Sequence, residues 1–185
     1  MALMFHPVAT DEEIAEVARM ADEIWKGYWP AIIGQEQTDY MVEQFQSIPA
    51  ITADIRERGY RYWVLEEAGE VVGYTSAAKE ADGAGRPAPN HSQTVAQRWP
   101  KRLFISKIYL YPAARGRHFA SRVIEFFEQL CREEGLEAMY LTVNRKNDLG
   151  TRAYLGRGFS VAEEADNPIG EGFYMTDYIM VKEVN

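Results

Sequence analysis

The chain has 185 residues, 46% of them hydrophobic and 12% aromatic, a length that favours a single domain over residues 1–185 with enough interior to fold without a staple. Cys131 is the only cysteine, so an intrachain disulfide is excluded. With no charged-then-apolar leader before Pro7 and no apolar run approaching ~18 residues, a soluble cytoplasmic protein is expected, with no membrane partner. A net charge of −8 argues against a surface given over to nucleic acid, because such binding rests on Lys and Arg against phosphates.

Leu3 to Val8 reads as a first strand, and Thr10-Asp11-Glu12-Glu13 as a capping box that starts a helix. Ile14, Val17, Ala18, Ala21, Ile24 and Trp25 follow at spacings of three and four, an apolar face aimed at a core. Gly27-Tyr28-Trp29-Pro30 breaks that pattern. A second helix is expected over Gln35 to Ser47 with Tyr40, Met41 and Phe45 inward, and Pro49 opens a third that Gly59 ends. Tyr60 to Leu65 and Val71 to Ala77, parted by Glu66 to Glu70, have the β-branched and aromatic content of a hairpin. Ala81 to Pro100, with its Gly, Pro and small polar residues, is predicted as a surface loop inserted in the domain.

Beyond it come a strand over Arg102 to Leu110, stopped by Tyr111-Pro112, and a helix carrying Val123, Phe126, Phe127, Leu130 and Cys131, closed by Gly135. A strand from Ala138 to Val143, a helix over about Asp148 to Arg157, a short strand Phe159 to Ala162, an acidic loop Glu163 to Gly172 and a strand Phe173 to Lys182 complete the order. Strands and helices mixed with hairpins and one or two crossovers imply an α/β chain of the α+β type, a mainly antiparallel sheet flanked by helices.

Charge is unevenly spread. From Gly83 to Ile124 there is no acidic residue, while Arg86, Arg98, Lys101, Arg102, Lys107, Arg115, Arg117 and Arg122 give +8 and leave −16 for the rest. Arg86 to Arg102 reads as a solvated basic face. From Lys107 onward an anion site is expected, because Arg115-Gly116-Arg117-His118-Phe119-Ala120-Ser121 joins a strand to a helix through small residues, and a helix start favours negative charge. No Gly-x-x-x-x-Gly-Lys-Ser/Thr and no Gly-x-Gly-x-x-Gly run is present, which argues against a nucleotide-binding module. His118 shares no ligand-like spacing with His6 or His91, so no metal site is expected.

Read together with Asn147, Gly150, Tyr154, Gly158 and Phe159, the Arg115–Ala120 loop resembles the GCN5-related N-acetyltransferase (GNAT) superfamily. The loop looks like that family's acetyl-CoA pyrophosphate motif, Gln/Arg-x-x-Gly-x-Gly/Ala. The second run looks like its Asn-x-x-(small)-x-x-x-Tyr-x-x-x-Gly-Phe segment. Lys107 to Leu110 and Asp177 to Met180 fit as well, so the resemblance covers Leu103 to Lys182 closely and the N-terminal part more loosely. One position departs: where the motif has its middle Gly, this chain has His118.

The resemblance implies a sheet of about seven strands and acetyl-CoA as co-substrate, held by Ile108, Tyr109, Leu110, Arg115, Gly116, Arg117, His118, Phe119, Ala120, Ser121 and Asn147. It implies Tyr154 as general acid and a backbone N–H of Ile108 to Leu110 as oxyanion donor, and dimerisation is common in the family. A phenol near ~10 lies close enough to a thiol near ~8.5 to pass it a proton. Leu103 to Leu110 carries no Asp or Glu, and Ser106 and Lys107 are poor bases at neutral pH, so a relayed water or a pre-deprotonated acceptor is expected in place of a named base. Tyr28, Trp29, Glu163 and Glu164, in segments that by resemblance border the acceptor, suit a cationic amine through aromatic faces and carboxylates. The leading expectation is acetylation of a small primary amine such as a polyamine, amino sugar or amino acid. The alternatives are acetylation of a protein N-terminus or lysine, and an acyl-CoA-binding sensor without catalysis.

Overall fold

A computed structural model describes residues 2–81 and 92–184; the expectations that fall on 82–91, Arg86 and His91 among them, lie outside those residues. Seven strands form one mixed sheet in the order β1-β2-β3-β4-β5-β7-β6, with seven α-helices among the described residues, which bears out the expected class. The chain divides into two units, Met1–Ala77 with Lys107–Val123 and Ala78–Ser106 with Ile124–Asn185.

In the first unit, β1 (Met4–Pro7) runs antiparallel to β2 (Tyr60–Glu67). Thr10 sets the start of α1 (Asp11–Lys26): its hydroxyl accepts the Glu13 N–H at 3.2 Å, and the Glu13 carboxylate accepts the N–H groups of Thr10 and Ala9 at 2.9 and 2.7 Å. Two of the N–H groups left open by the helix start, those of Thr10 and Glu13, therefore have side-chain partners. The buried face carries Met20 where Ala18 was expected, and Ala18 is half-buried. Pro30 opens a four-residue helix α2 (Pro30–Ile33) inside the expected break, since its fixed φ suits a first helical turn. α3 (Gln35–Phe45) buries Met41 and Thr38 and leaves Tyr40 and Phe45 half-buried, and Ser47 caps α4 (Ile48–Arg56). β2 turns into β3 (Glu70–Ala81) through Ala68 and Gly69, both left-handed (φ 56° and 85°), as a two-residue hairpin turn requires.

In the second unit, residues 102–105 of β4 (Lys101–Leu110) lie parallel to residues 138–141 of β5 (Ala138–Asn144). β7 (Phe173–Glu183) pairs antiparallel with β5 and with β6 (Ser160–Gly170). The helices after β3 are α5 (Gln93–Arg98), α6 (Phe119–Glu134) and α7 (Asp148–Leu155).

Three expectations need correction. Gln93–Arg98 are helix and not loop: Ser92 caps α5 by accepting the Val95 N–H at 3.1 Å, and Val95 and Trp99 are buried. Arg102 is not on a solvated face; it is 4% exposed, donates to Glu80 at 2.7 Å and to the carbonyls of Trp99 and Pro100, while the Tyr140 hydroxyl donates to the other Glu80 oxygen at 2.8 Å. Leaving either ion of that pair alone in the interior would cost about 3–5 kcal/mol. The acidic segment is not a loop either, because Glu163 to Gly170 are part of β6, with register shifts at Val161/Glu163 and Pro168/Gly170.

Candidate active site

In the first unit the end of β4 is held from below by β3. The Thr75 hydroxyl donates to the Lys107 carbonyl at 2.5 Å and the Tyr111 N–H to the Val72 carbonyl at 3.0 Å. Gly73 makes the close approach possible, since a Cβ there would stand 2.1 Å from the Tyr109 carbonyl oxygen. The Tyr109 ring packs 5.4 Å from Trp25 and 5.5 Å from Tyr74. Ile108 to Leu110, the stretch expected to offer an oxyanion donor, is thus fixed before any ligand arrives, which is the condition for electrostatic stabilisation without reorganisation.

Lys107 does not contribute to an anion site. Its ammonium is buried 3.5 Å from Asp54, which also accepts from Tyr62 at 2.6 Å and from Arg58 at 3.0 Å, and burial pushes the lysine below its ordinary pKa while Asp54 opposes the shift.

After β4 the chain makes a 3-10 turn (Pro112–Ala114) and enters α6 through two left-handed residues, Gly116 (φ 75°) and His118 (φ 63°). The His118 carbonyl accepts the N–H groups of Ser121 (3.1 Å) and Arg122 (3.3 Å), and its side chain is exposed. His118 therefore stands in the conformation for which the motif uses glycine, and histidine is among the few side chains enriched there. Arg115 lies over the Tyr28 ring at 4.6 Å. Arg117 and Arg122 both reach Glu67 and lie over the Phe119 ring. Phe119 is buried and Ala120 half-buried, and the buried Ser121 hydroxyl has no hydrogen-bond partner among the described residues. Tyr28 and Trp29 are half-buried, 5.4 Å apart edge to face, with Trp29 5.2 Å from Trp25.

In the second unit Asn147 caps α7. Its Oδ1 accepts the Gly150 N–H at 3.1 Å, and a Cβ on Gly150 would stand 2.8 Å from its Nδ2, so the small residue of the motif makes room for the cap. Tyr154, two turns along α7, is half-buried with its ring 5.7 Å from Phe159, and burial pushes its phenol up to about 12. The two acceptor-side carboxylates already have partners: Glu163 accepts from the Ser92 hydroxyl at 2.6 Å, and Glu164 pairs with Arg145 at 2.9 Å, an arginine that also holds Asp166.

A buried acid to which sequence reasoning gave no role is Asp177. It is 3% exposed on β7 opposite Asn144, its Oδ2 has no hydrogen-bond partner among the described residues, and burial pushes its carboxyl up to about 6. The signal was present in the sequence: Asp177 is the lone acid in the run Phe173 to Val181.

The model of the acetyltransferase (GNAT) family matches residues 19–159. No curated protein matches the sequence. Among solved structures, PaiA N-acetyltransferase from Thermoplasma acidophilum in complex with coenzyme A is 16% identical over 99% of both chains, with a TM-score of 0.69. YncA from Salmonella typhimurium with its cofactor acetyl-CoA is 17% identical over 100% of this chain and 95% of its own, at 0.60. A variant of the spermidine N-acetyltransferase SpeG from Vibrio cholerae is 16% identical over 98% and 93%, at 0.62.

Proposed function

Because the chain belongs to the acetyltransferase (GNAT) family, we propose that it transfers the acetyl group of acetyl-CoA to a primary amine of a small molecule, with a cationic amine as the acceptor class. The observation that carries this reading is the turn into α6: His118 takes a left-handed conformation, the kind for which the motif uses glycine, which supports a working phosphate loop despite the substitution. A cradle deformed at that point would favour the sensor reading instead.

Acetyl-CoA supplies an activated thioester. The loop Arg115 to Ser121 gives its phosphates the positive end of α6 and the arginine side chains, and Asn147 holds the pantetheine arm. A backbone N–H of Ile108 to Leu110 donates to the carbonyl oxygen as negative charge builds there. Tyr154, with a phenol at about 12, keeps its proton at every pH at which amines are acetylated. Complete transfer to a thiolate near ~8.5 is uphill from such a phenol, so Tyr154 stabilises the departing sulfur by donating a hydrogen bond, and solvent completes the protonation. For the acceptor, Tyr28 and Trp29 offer aromatic faces and Glu164 an exposed carboxylate. That Tyr28 already carries the Arg115 guanidinium supports an affinity of that ring for cations. Either carboxylate would engage the amine in competition with a partner already present, Ser92 at Glu163 and Arg145 at Glu164.

The test is release of free CoA thiol from acetyl-CoA across polyamines, amino sugars, amino acids and short peptides, with Tyr154→Phe alongside. Spermidine belongs in the panel because one structural neighbour is a spermidine N-acetyltransferase. The expected result is turnover on one small-molecule class that falls about 10²-fold or more in the variant. Tight acetyl-CoA binding with no turnover on any amine would replace this reading with the sensor, and turnover confined to peptides would replace the acceptor class.

A further inference from the structure

We infer that Asp177 is the base that takes the proton of the acceptor ammonium, directly or through one water. The inference rests on the acetyltransferase reading above and supplies the one proton-transfer step for which the sequence offers no residue.

The geometry is specific to Asp177. It sits on β7 directly opposite Asn144, the last residue of β5. The Asn144 carbonyl accepts the Asn147 N–H at 2.8 Å, and Asn147 caps the helix that carries Tyr154. The neighbouring Thr176 carbonyl accepts the Arg145 N–H at 2.9 Å, so β7 is tied to the turn that leads into α7 one residue before Asp177. Its Oδ2 is buried without a hydrogen-bond partner among the described residues, which is costly for a carboxylate that does nothing else. The other buried acids are differently placed: Asp54 accepts from Tyr62 and Arg58 and pairs with Lys107, and Glu80 accepts from Arg102 and Tyr140.

The charged groups that act on Asp177 are Arg145, after β5, and Asp166, on β6. Arg145 pairs with Glu164 and Asp166, so its charge is shared among carboxylates and offsets only part of the burial cost. The carboxyl stands at about 6 and is ionised at neutral pH, ready to accept a proton. In the step, the ammonium N–H bond breaks and its proton passes to Asp177. The freed nitrogen lone pair bonds to the acyl carbon as the carbon–sulfur bond breaks, the nitrogen sheds its second proton to water to leave the neutral amide, the thiolate collects a proton from solvent beside Tyr154, and Asp177 returns its own proton to solvent.

The experiment is kcat/KM against pH from 5 to 10, on an acceptor turned over by the wild type, for the wild type and Asp177→Asn, with acetyl-CoA affinity measured in parallel. The wild type is expected to lose activity below about pH 6 and to hold a plateau up to the amine's own pKa. The variant is expected to bind acetyl-CoA normally, to lose about 10²- to 10⁴-fold at pH 7, and to recover tenfold per pH unit as the neutral amine becomes abundant. A constant loss at every pH would make Asp177 structural and overturn the inference. A wild-type profile that climbs tenfold per unit through pH 6 to 9 would do the same without any variant, even if Asp177→Asn failed to fold. If the wild type binds acetyl-CoA and acetylates no amine, the acetyltransferase reading fails first and this one falls with it.

Discussion

Replacing His118 with glycine tests whether the loop into α6 is strained by its own sequence. A non-glycine residue in the left-handed region costs about 1–2 kcal/mol, and His118 is held there at φ 63°. Glycine removes that cost but loses about 0.5–1 kcal/mol more backbone entropy on folding. The imidazole is exposed, and the carbonyl that accepts from Ser121 and Arg122 remains in any variant. The balance is a gain of about 0–1.5 kcal/mol, or up to about 3–6 °C in Tm for a chain of this size. His118→Val meets the opposite fate, because a β-branched residue tolerates that conformation least, and a loss of about 1–2 kcal/mol is expected. Thermal unfolding of the three proteins, with acetyl-CoA affinity measured by titration, reads both effects. Tighter or unchanged binding in His118→Gly fits a loop that works through its backbone. Weaker binding would mean that the side chain itself holds a phosphate. A destabilised glycine variant together with a neutral valine variant would refute the strain argument altogether.

Gly73→Ala drives a Cβ to 2.1 Å from the Tyr109 carbonyl oxygen and 2.9 Å from the Leu110 Cα, backbone on both counts, so a loss of about 3 kcal/mol and a collapse of kcat are expected; chemical denaturation and turnover check it. Thr10→Ala removes one half of the capping box and should cost about 1 kcal/mol with activity unchanged, which an unfolding curve resolves. Asp177→Asn should change the pH dependence of stability. A carboxyl raised from 3.8 to about 6 contributes stability that is full below pH 3.8 and lost as pH rises through about 6. That is about 3 kcal/mol in all, of which about half falls between pH 5 and pH 8. Urea unfolding at those two pH values should therefore show the variant gaining about 1 kcal/mol on the wild type at pH 8 relative to pH 5, and parallel curves would count against a desolvated Asp177.

What the sequence makes legible is what is decided within a few residues. The capping box at Thr10–Glu13, the hairpin around Ala68–Gly69 and the helix that begins at Asp148 are all local, and the structure carries each of them. Ser92 followed by Val95 and Trp99 was also a local signal, a capping serine before spaced apolar residues, hidden by the Gly and Pro content upstream. β6 was hidden for a different reason. Its charges make it resemble a loop, yet Glu163, Ala165, Asn167 and Ile169 are half-buried while Glu164, Asp166, Pro168 and Gly170 are exposed, the period of two of a strand. Because β6 ends the sheet order, acids and a proline on it block further strand pairing at that edge, and the residues that suggested a loop are those an edge strand needs.

Asp177 marks where local reading stops. In the sequence it is one acid in an apolar strand, 33 residues from Asn144, and nothing in its neighbours says what it faces. Only the register of β7 on β5 brings it opposite the residue whose carbonyl anchors Asn147, and only the packing around it leaves an oxygen without a partner. A pyrophosphate loop can be read from a string because its chemistry resides in consecutive backbone groups, whose conformation neighbouring residues dictate. A proton acceptor needs desolvation and a reach toward the nitrogen, and both are set by strands that meet only in the folded sheet. The same burial that makes Asp177 a weak enough acid to work near neutrality makes it a liability to the fold, so activity and stability should trade against each other at this one position.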